Sequence, residues 1–446
     1  MSAQGPAPTL LDNVRLPRWL LPPDWPQHDG VPVLARMAID AGCVQSVRPV
    51  APNENHNHHD DQHGDTASAW NLAGTLALPG FVDAHTHLDK AFTLPRMKQV
   101  QPGLLGAIDA MLADRVHWSP ADVRERAARG LQWAWECGTT HVRTHVDWWE
   151  PDTLPMAWPV MAELAQEWAG KVRLEQVSLI KLPLFEDAAQ ALRLARQVKA
   201  TGPHALLGGF VHSTNWSENA LRNLLVSAQA CDLDIDLHVD EELNAAAVGL
   251  QTTARILREI GYEGRVVCGH ICALAAQPEA QAFATLDAVA RAPITVVSLP
   301  ATNLLLQDAV TGRTPRLRGI TLVKEARERG IPLLFASDNV QDPFCRLGSF
   351  DPVEALGTAA LVAQLDEPFD TWSQALCRGD WLRRSPAPAH PTLVGQAADL
   401  VLFTDADRHG WPSRTARRVV LRDGRVTRGA VPAAWLQRTG DALRVQ

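Results

Sequence analysis

Basic charge is in short supply. Lysine and arginine total 42 against 50 aspartates and glutamates, a formal net charge of −8. A chain without a basic excess lacks the footprint by which nucleic acid is held. Long apolar runs are missing as well: nowhere do about 18 uninterrupted apolar residues occur, so no membrane span is expected. Residues 1–21 have no basic start followed by an apolar stretch and do not read as a secretory leader. The seven cysteines are scattered and odd in number, which suits thiols in a reducing compartment better than a disulfide framework. A Walker-type phosphate loop, a G-x-G-x-x-G fingerprint and a G-x-S-x-G nucleophile elbow are all absent. Cys268 and Cys272 lack the second pair that a structural zinc site needs. What remains is a cytoplasmic protein whose partner is a small molecule, not nucleic acid or a membrane, and which is compatible with a homo-oligomer.

What is present is a core. The apolar fraction is 46% and the charged fraction 21% over 446 residues, enough for a large barrel and an accessory domain. The first 78 residues are mixed, with short strand-like text between 31 and 49. Residues 53–65, which contain His56, His58, His59 and His63, are polar and without apolar periodicity. They are expected to form an exposed loop that binds metal loosely if at all. Beyond residue 78 apolar strands alternate with amphipathic helices. Ser119 is an N-cap with Pro120 behind it, Val123, Ala127, Leu131 and Trp135 form one stripe, and Gly138 closes the helix. Ser217 opens another helix through Ala230. Eight strands are expected to end near His87, Asp147, Lys181, His212, His238, His270, Leu299 and Asp338. That repeat predicts an α/β fold, a (β/α)₈ TIM-type barrel over residues 79–390. Residues 1–78 and 391–446 are expected to form a small β-sandwich built from both chain ends, with Asp423–Gly424 as a hairpin turn.

Histidines and acids gather at the predicted C-terminal strand ends, the catalytic face of such a barrel. His85 and His87 are two apart, so a strand places both imidazoles on one side. His238 alternates with apolar neighbours in "DLHVDEE". Glu241 follows where the strand gives way to a loop, and a carboxylate there suits proton transfer; the plainer reading is a helix-start acid. His270 ends "RVVCGH", where a structural role is the ordinary expectation. Asp338 ends the buried run "LLFASD" and needs a cation or donors. Asn339 beside it is a turn residue or a substrate contact.

These segments resemble the amidohydrolase superfamily. "LPGFVDAHTHLDKAF" (78–92), "VRTHVD" (142–147), "HVDEE" (238–242), "GH" (269–270) and "ASDNVQDPF" (336–344) occur in its order. They are most similar to the cytosine deaminase branch, which includes N-isopropylammelide aminohydrolase-like enzymes. The resemblance implies one divalent ion, zinc or iron, held by His85, His87, His238 and Asp338. It implies a proton-shuttling Glu241, an assisting His270, an aromatic pocket wall at Phe344 and a pocket-lining Leu104. Two positions depart. A pyrimidine-reading glutamine is expected after the third strand, where this chain has Lys181 and Leu182, and Asn339 replaces an acidic residue. Cytosine is therefore disfavoured as substrate. The implied activity is hydrolysis of a C–N bond of a cyclic amidine such as an amino-pyrimidine or amino-triazine. The alternatives are a cyclic amide or carbamate hydrolase on the same site, or a non-catalytic metal-binding scaffold, which would have no use for Glu241 and His270 together.

Overall fold

Ser119 caps its helix as the text requires: its hydroxyl accepts from the Asp122 backbone N at 3.2 Å. The helix runs Pro120–Cys137, and Gly138 ends it at φ 101°. Val123, Ala127 and Leu131 are fully buried, but the fourth contact is Ala134, with Trp135 only partly covered. A strict four-residue spacing drifts around a 3.6-residue helix, so the stripe returns to the core one position earlier. Ser217 likewise caps Glu218–Ala230.

In the computed structural model, residues 5–51, 69–97, 99–385 and 387–436 are described; the histidine-rich stretch lies outside them. Eight parallel strands follow one another around a sheet in chain order: Phe81–Thr86, Thr139–Trp148, Arg173–Lys181, Ala205–Val211, Ile235–Val239, Val266–His270, Ile294–Ser298 and Leu333–Phe335. The sheet closes through a parallel bridge between Thr86 and Asp338. The Asp338 N donates to the His85 carbonyl at 2.9 Å, and the Ser337 N to Asp83 Oδ1 at 2.9 Å. Helices pack outside the strands, and the protein is a (β/α)₈ barrel. The eighth strand is shorter than expected. It stops at Phe335, and Asp338 stands beyond it at φ 60°, a left-handed conformation that breaks a ladder.

The chain ends build a separate two-sheet unit. One sheet orders Cys43–Pro49, Ala35–Asp40, Leu10–Val14 and Ala69–Asn71; the other orders Arg425–Arg428, Arg418–Arg422, Leu400–Phe403 and Leu76–Pro79. Leu11, Met37, Val44 and Trp70 from the first sheet share a core with Leu400, Leu402, Val419 and Leu421 from the second. Asp423 and Gly424 turn the final hairpin with φ 46° and 71°, the two positive values of a primed turn. Among the described residues no helix is long and apolar enough to cross a membrane.

Candidate active site

The first and fifth strands and the turns that follow the first and eighth bring four ligand-type side chains into one buried cluster. His85 lies in the first strand, His87 one residue past its end, His238 in the fifth. His238 Nε2 is 3.2 Å from both His85 Nε2 and His87 Nε2. Asp338 Oδ1 is 3.2 Å from His87 Nε2 and 3.6 Å from His85 Nε2. All four residues are buried, and burial holds the three imidazoles well below their usual pKa, so they are neutral. Neutral imidazole nitrogens facing one another cannot all be satisfied by hydrogens they do not carry. Both Asp338 oxygens also lack a hydrogen-bond donor. Four ligands about 2.1 Å from a tetrahedral ion stand roughly 3.4 Å apart, so the spacing and the unpaired atoms fit a divalent metal ion.

Two further groups adjoin this cluster. His270 Nδ1 lies 3.3 Å from Glu241 Oε1 and 3.0 Å from the Asn303 side-chain nitrogen. Burial lowers the His270 pKa to about 3. The Glu241 carboxyl is pushed well above the carboxylate range, first by burial and then by the charge of Asp338. No helix starts at Glu241; the next begins at Gly249, which removes the helix-start explanation for this acid. The loop carrying it is pinned. Asp240 accepts from the Gly249 and Leu250 backbone at 3.1 and 2.9 Å, Glu242 accepts from the Ser213 N at 2.7 Å and from its hydroxyl, and Gln307 donates to the Glu241 carbonyl at 3.2 Å.

A layer of charge whose pairing no single strand discloses lies around these residues. Lys90 is 2% exposed; its Nζ stands 3.0 Å from Asp147, 3.3 Å from Asp89 and 3.2 Å from His87 Nδ1. Arg143 on the second strand reaches Glu175 on the third at 2.8 Å and Asp236 on the fifth at 2.9 Å. Second and fifth strands are not neighbours, so these side chains meet inside the barrel. His145 packs on His85 with ring centroids 3.9 Å apart and stands 3.5 Å from Asp236. The signal that could have exposed this layer is charge inside apolar strand text, "HLDKAF" and "VRTHVD", where each ion must find a partner.

The expected substrate contacts are dispersed. Asn339 is buried and donates to Asp342 at 2.7 Å; the backbone N of Phe344 donates to the same carboxylate at 2.9 Å, so both belong to one tight loop after Asp338. Leu104, half-buried, is the first residue of the helix Leu104–Asp114. Lys181 is exposed, its ammonium 4.1 Å above the Trp149 ring. Leu182 is fully buried in the main apolar core.

The sequence model of the amidohydrolase family matches residues 103–428, more than half of the chain. A pterin deaminase of Rhizobium rhizogenes (strain K84 / ATCC BAA-868) is 38% identical over 359 residues, 80% of this chain and 82% of that protein. N-isopropylammelide isopropyl amidohydrolase of Pseudomonas sp. (strain ADP) is 27% identical over 290 residues, 63% of this chain and 67% of that protein. The fold is shared with 5-methylcytosine deaminase from Klebsiella pneumoniae, at a TM-score of 0.75 and 24% identity, covering 95% of this chain and 98% of that one. With a family model over most of its barrel and a close deaminase relative along four-fifths of its length, the chain belongs to the amidohydrolase family, in its deaminase-like branch, and is a hydrolase.

Proposed function

We propose that the protein deaminates an oxo-bearing amino heterocycle of the pterin class, replacing the exocyclic amine with oxygen and releasing ammonia. The observation that carries this reading is the meeting of three imidazole nitrogens and one carboxylate with a buried carboxyl and a buried imidazole beside them. The identity to a pterin deaminase supports the heterocycle. In this reading His85, His87 and His238 through Nε2, and Asp338 through Oδ1, hold one divalent ion, zinc or ferrous iron. When bound, such an ion supplies Lewis acidity that makes water nucleophilic near neutral pH.

The remaining chemistry belongs to side chains. Glu241, which burial favours in its protonated form, hands a proton from its carboxyl oxygen to a ring nitrogen. It then takes up one water proton and passes it to the departing amine, and takes up the second as the carbonyl forms, so that it ends protonated as it began. The balance closes: the water oxygen becomes the ring carbonyl, one water hydrogen ends on the ring nitrogen and the other leaves in ammonia. His270 orients the reacting oxygen by hydrogen bonding. Asn339, Phe344, Leu104 and Lys181 are assigned to the pocket wall and mouth. We assign residues 79–390 to the catalytic barrel and the two chain ends to the accessory sandwich. Seven unpaired cysteines suit a reducing compartment, and we place the protein in the cytoplasm.

The test is ammonia release by metal-loaded protein from pterin, isocytosine, cytosine and aminotriazines. Pterin is expected to lead. Cytosine turned over with kcat/KM of about 10⁴ M⁻¹s⁻¹ or more would overturn the choice of heterocycle, and no ammonia from any of them would overturn deamination.

A further inference from the structure

His270 leaves the sixth strand with φ 69°, and Ile271 follows at φ 47°. Two successive left-handed residues, one of them β-branched, are strained and persist only where surrounding bonds hold them. Here the Ile271 N donates to the Val239 carbonyl at 2.9 Å, and the Thr321 hydroxyl donates to the His270 carbonyl at 2.7 Å. The ring placed in this way has unlike surroundings at its two nitrogens. Nδ1 meets the Asn303 side-chain nitrogen at 3.0 Å and, at 3.3 Å, the carboxyl of Glu241, which burial keeps protonated and able to donate, while Nε2 is buried without a hydrogen-bond partner.

The backbone of Asn303 is itself held in place. It is fully buried in the short helix Pro300–Leu306. Its backbone N donates to the Leu299 carbonyl at 3.0 Å, and its carbonyl accepts from the Gln307 N at 2.9 Å. Gln307 in turn holds the Glu241 carbonyl. One helical turn therefore grips both the His270 ring and the loop that carries Glu241.

An amide nitrogen can only donate, and a neutral imidazole has one N–H and one lone pair. Donation to Nδ1 places the lone pair there and the hydrogen on Nε2. We propose that Asn303 is a positioning residue that locks His270 in its Nε2–H tautomer, so that His270 enters the reaction as a hydrogen-bond donor and proton transfer falls to the carboxyl groups. This rests on the deaminase reading of the site. It changes the part His270 plays: an Nε2 bearing hydrogen cannot accept a proton from water, but it can steady negative charge that develops on oxygen, as a preorganised donor does.

The experiment uses zinc-loaded protein carrying nitrogen-15 histidine, in which long-range proton–nitrogen spectra distinguish the tautomers; a His270→Gln variant assigns the signal. Wild-type His270 is expected to carry its hydrogen on Nε2. Asn303→Asp offers only an acceptor, so the hydrogen should move to Nδ1. On the best substrate kcat should then fall on the order of a hundredfold or more, with KM changed far less. Should Asn303→Asp fail to fold, Asn303→Leu removes the donor at similar volume, and the Nε2–H signal should lose its dominance. A wild-type hydrogen on Nδ1, the pattern expected if the amide presents its oxygen, overturns the proposal, as does a tautomer unchanged in the variants. If the tautomer responds as expected but the wild type releases no ammonia from the panel, the tautomer assignment stands and the deaminase reading fails.

Discussion

At Glu241 a carboxyl sits in a buried place where charge is costly, 3.3 Å from an imidazole that burial keeps neutral. Glu241→Gln keeps the shape and removes the titrating oxygen, so metal content measured by elemental analysis should be unchanged while turnover falls by roughly 10²–10⁴. Undiminished turnover would strip Glu241 of its proton-carrying part. Arg143 presents the opposite case, a buried cation shared by Glu175 and Asp236. Arg143→Met leaves both carboxylates without it in the barrel interior, and denaturant unfolding should show a loss of about 3–5 kcal/mol. At this scale the sequence was legible wherever one strand's own periodicity did the work: His85 and His87 two residues apart, His238 on the polar face of its strand. It did not disclose how Lys90, Arg143 and Asn303 are paired, because Asp147, Glu175, Asp236 and His270 arrive from other strands and depend on barrel register, which a single strand does not encode.

Helix Pro120–Cys137 shows how far local chemistry reaches. Cap, first-turn proline and closing glycine act within a few residues of one another, and each was readable in advance; Trp135 was misplaced because packing follows the 3.6-residue turn. Ser119→Ala should cost about 1 kcal/mol in equilibrium unfolding through the lost cap. Gly138→Ala should cost more. The residue is left-handed, and a Cβ there would stand 2.3 Å from Val401 Cγ2, on a strand of the accessory sandwich. A melting-temperature drop no larger than that of Ser119→Ala would mean that Val401 moves aside freely. The eighth strand was harder to read. "LLFASD" is apolar through Ala336, but the ladder stops at Phe335, three residues before Asp338, where closure with Thr86 and the left-handed backbone take over. That boundary is set by the first strand, more than 200 residues earlier, and has no local signature.

For the whole molecule, a bound ion would bear on stability as well as catalysis. An ion that binds only the folded barrel stabilises it by about 2.7 kcal/mol when free at a hundred times its dissociation constant. Chelation should therefore lower the melting temperature, and readdition of zinc or ferrous iron should restore it; a melting temperature indifferent to chelator would count against a site tied to the barrel. Replacing His56, His58, His59 and His63 together by alanine should leave near-stoichiometric metal, since His85, His87, His238 and Asp338 already offer a ligand set, and a metal-free variant would transfer the site to that stretch. The closing seam has a consequence during synthesis. His85 and Asp338 are joined by the backbone bond that shuts the barrel, yet they leave the ribosome about 250 residues apart. If His85, His87, His238 and Asp338 hold the ion as proposed, a nascent chain carries the first two ligands long before the last, and the full set exists only once most of the polypeptide has been made. Metal capture would then be a late event in the life of each molecule, a step that follows translation of the eighth strand.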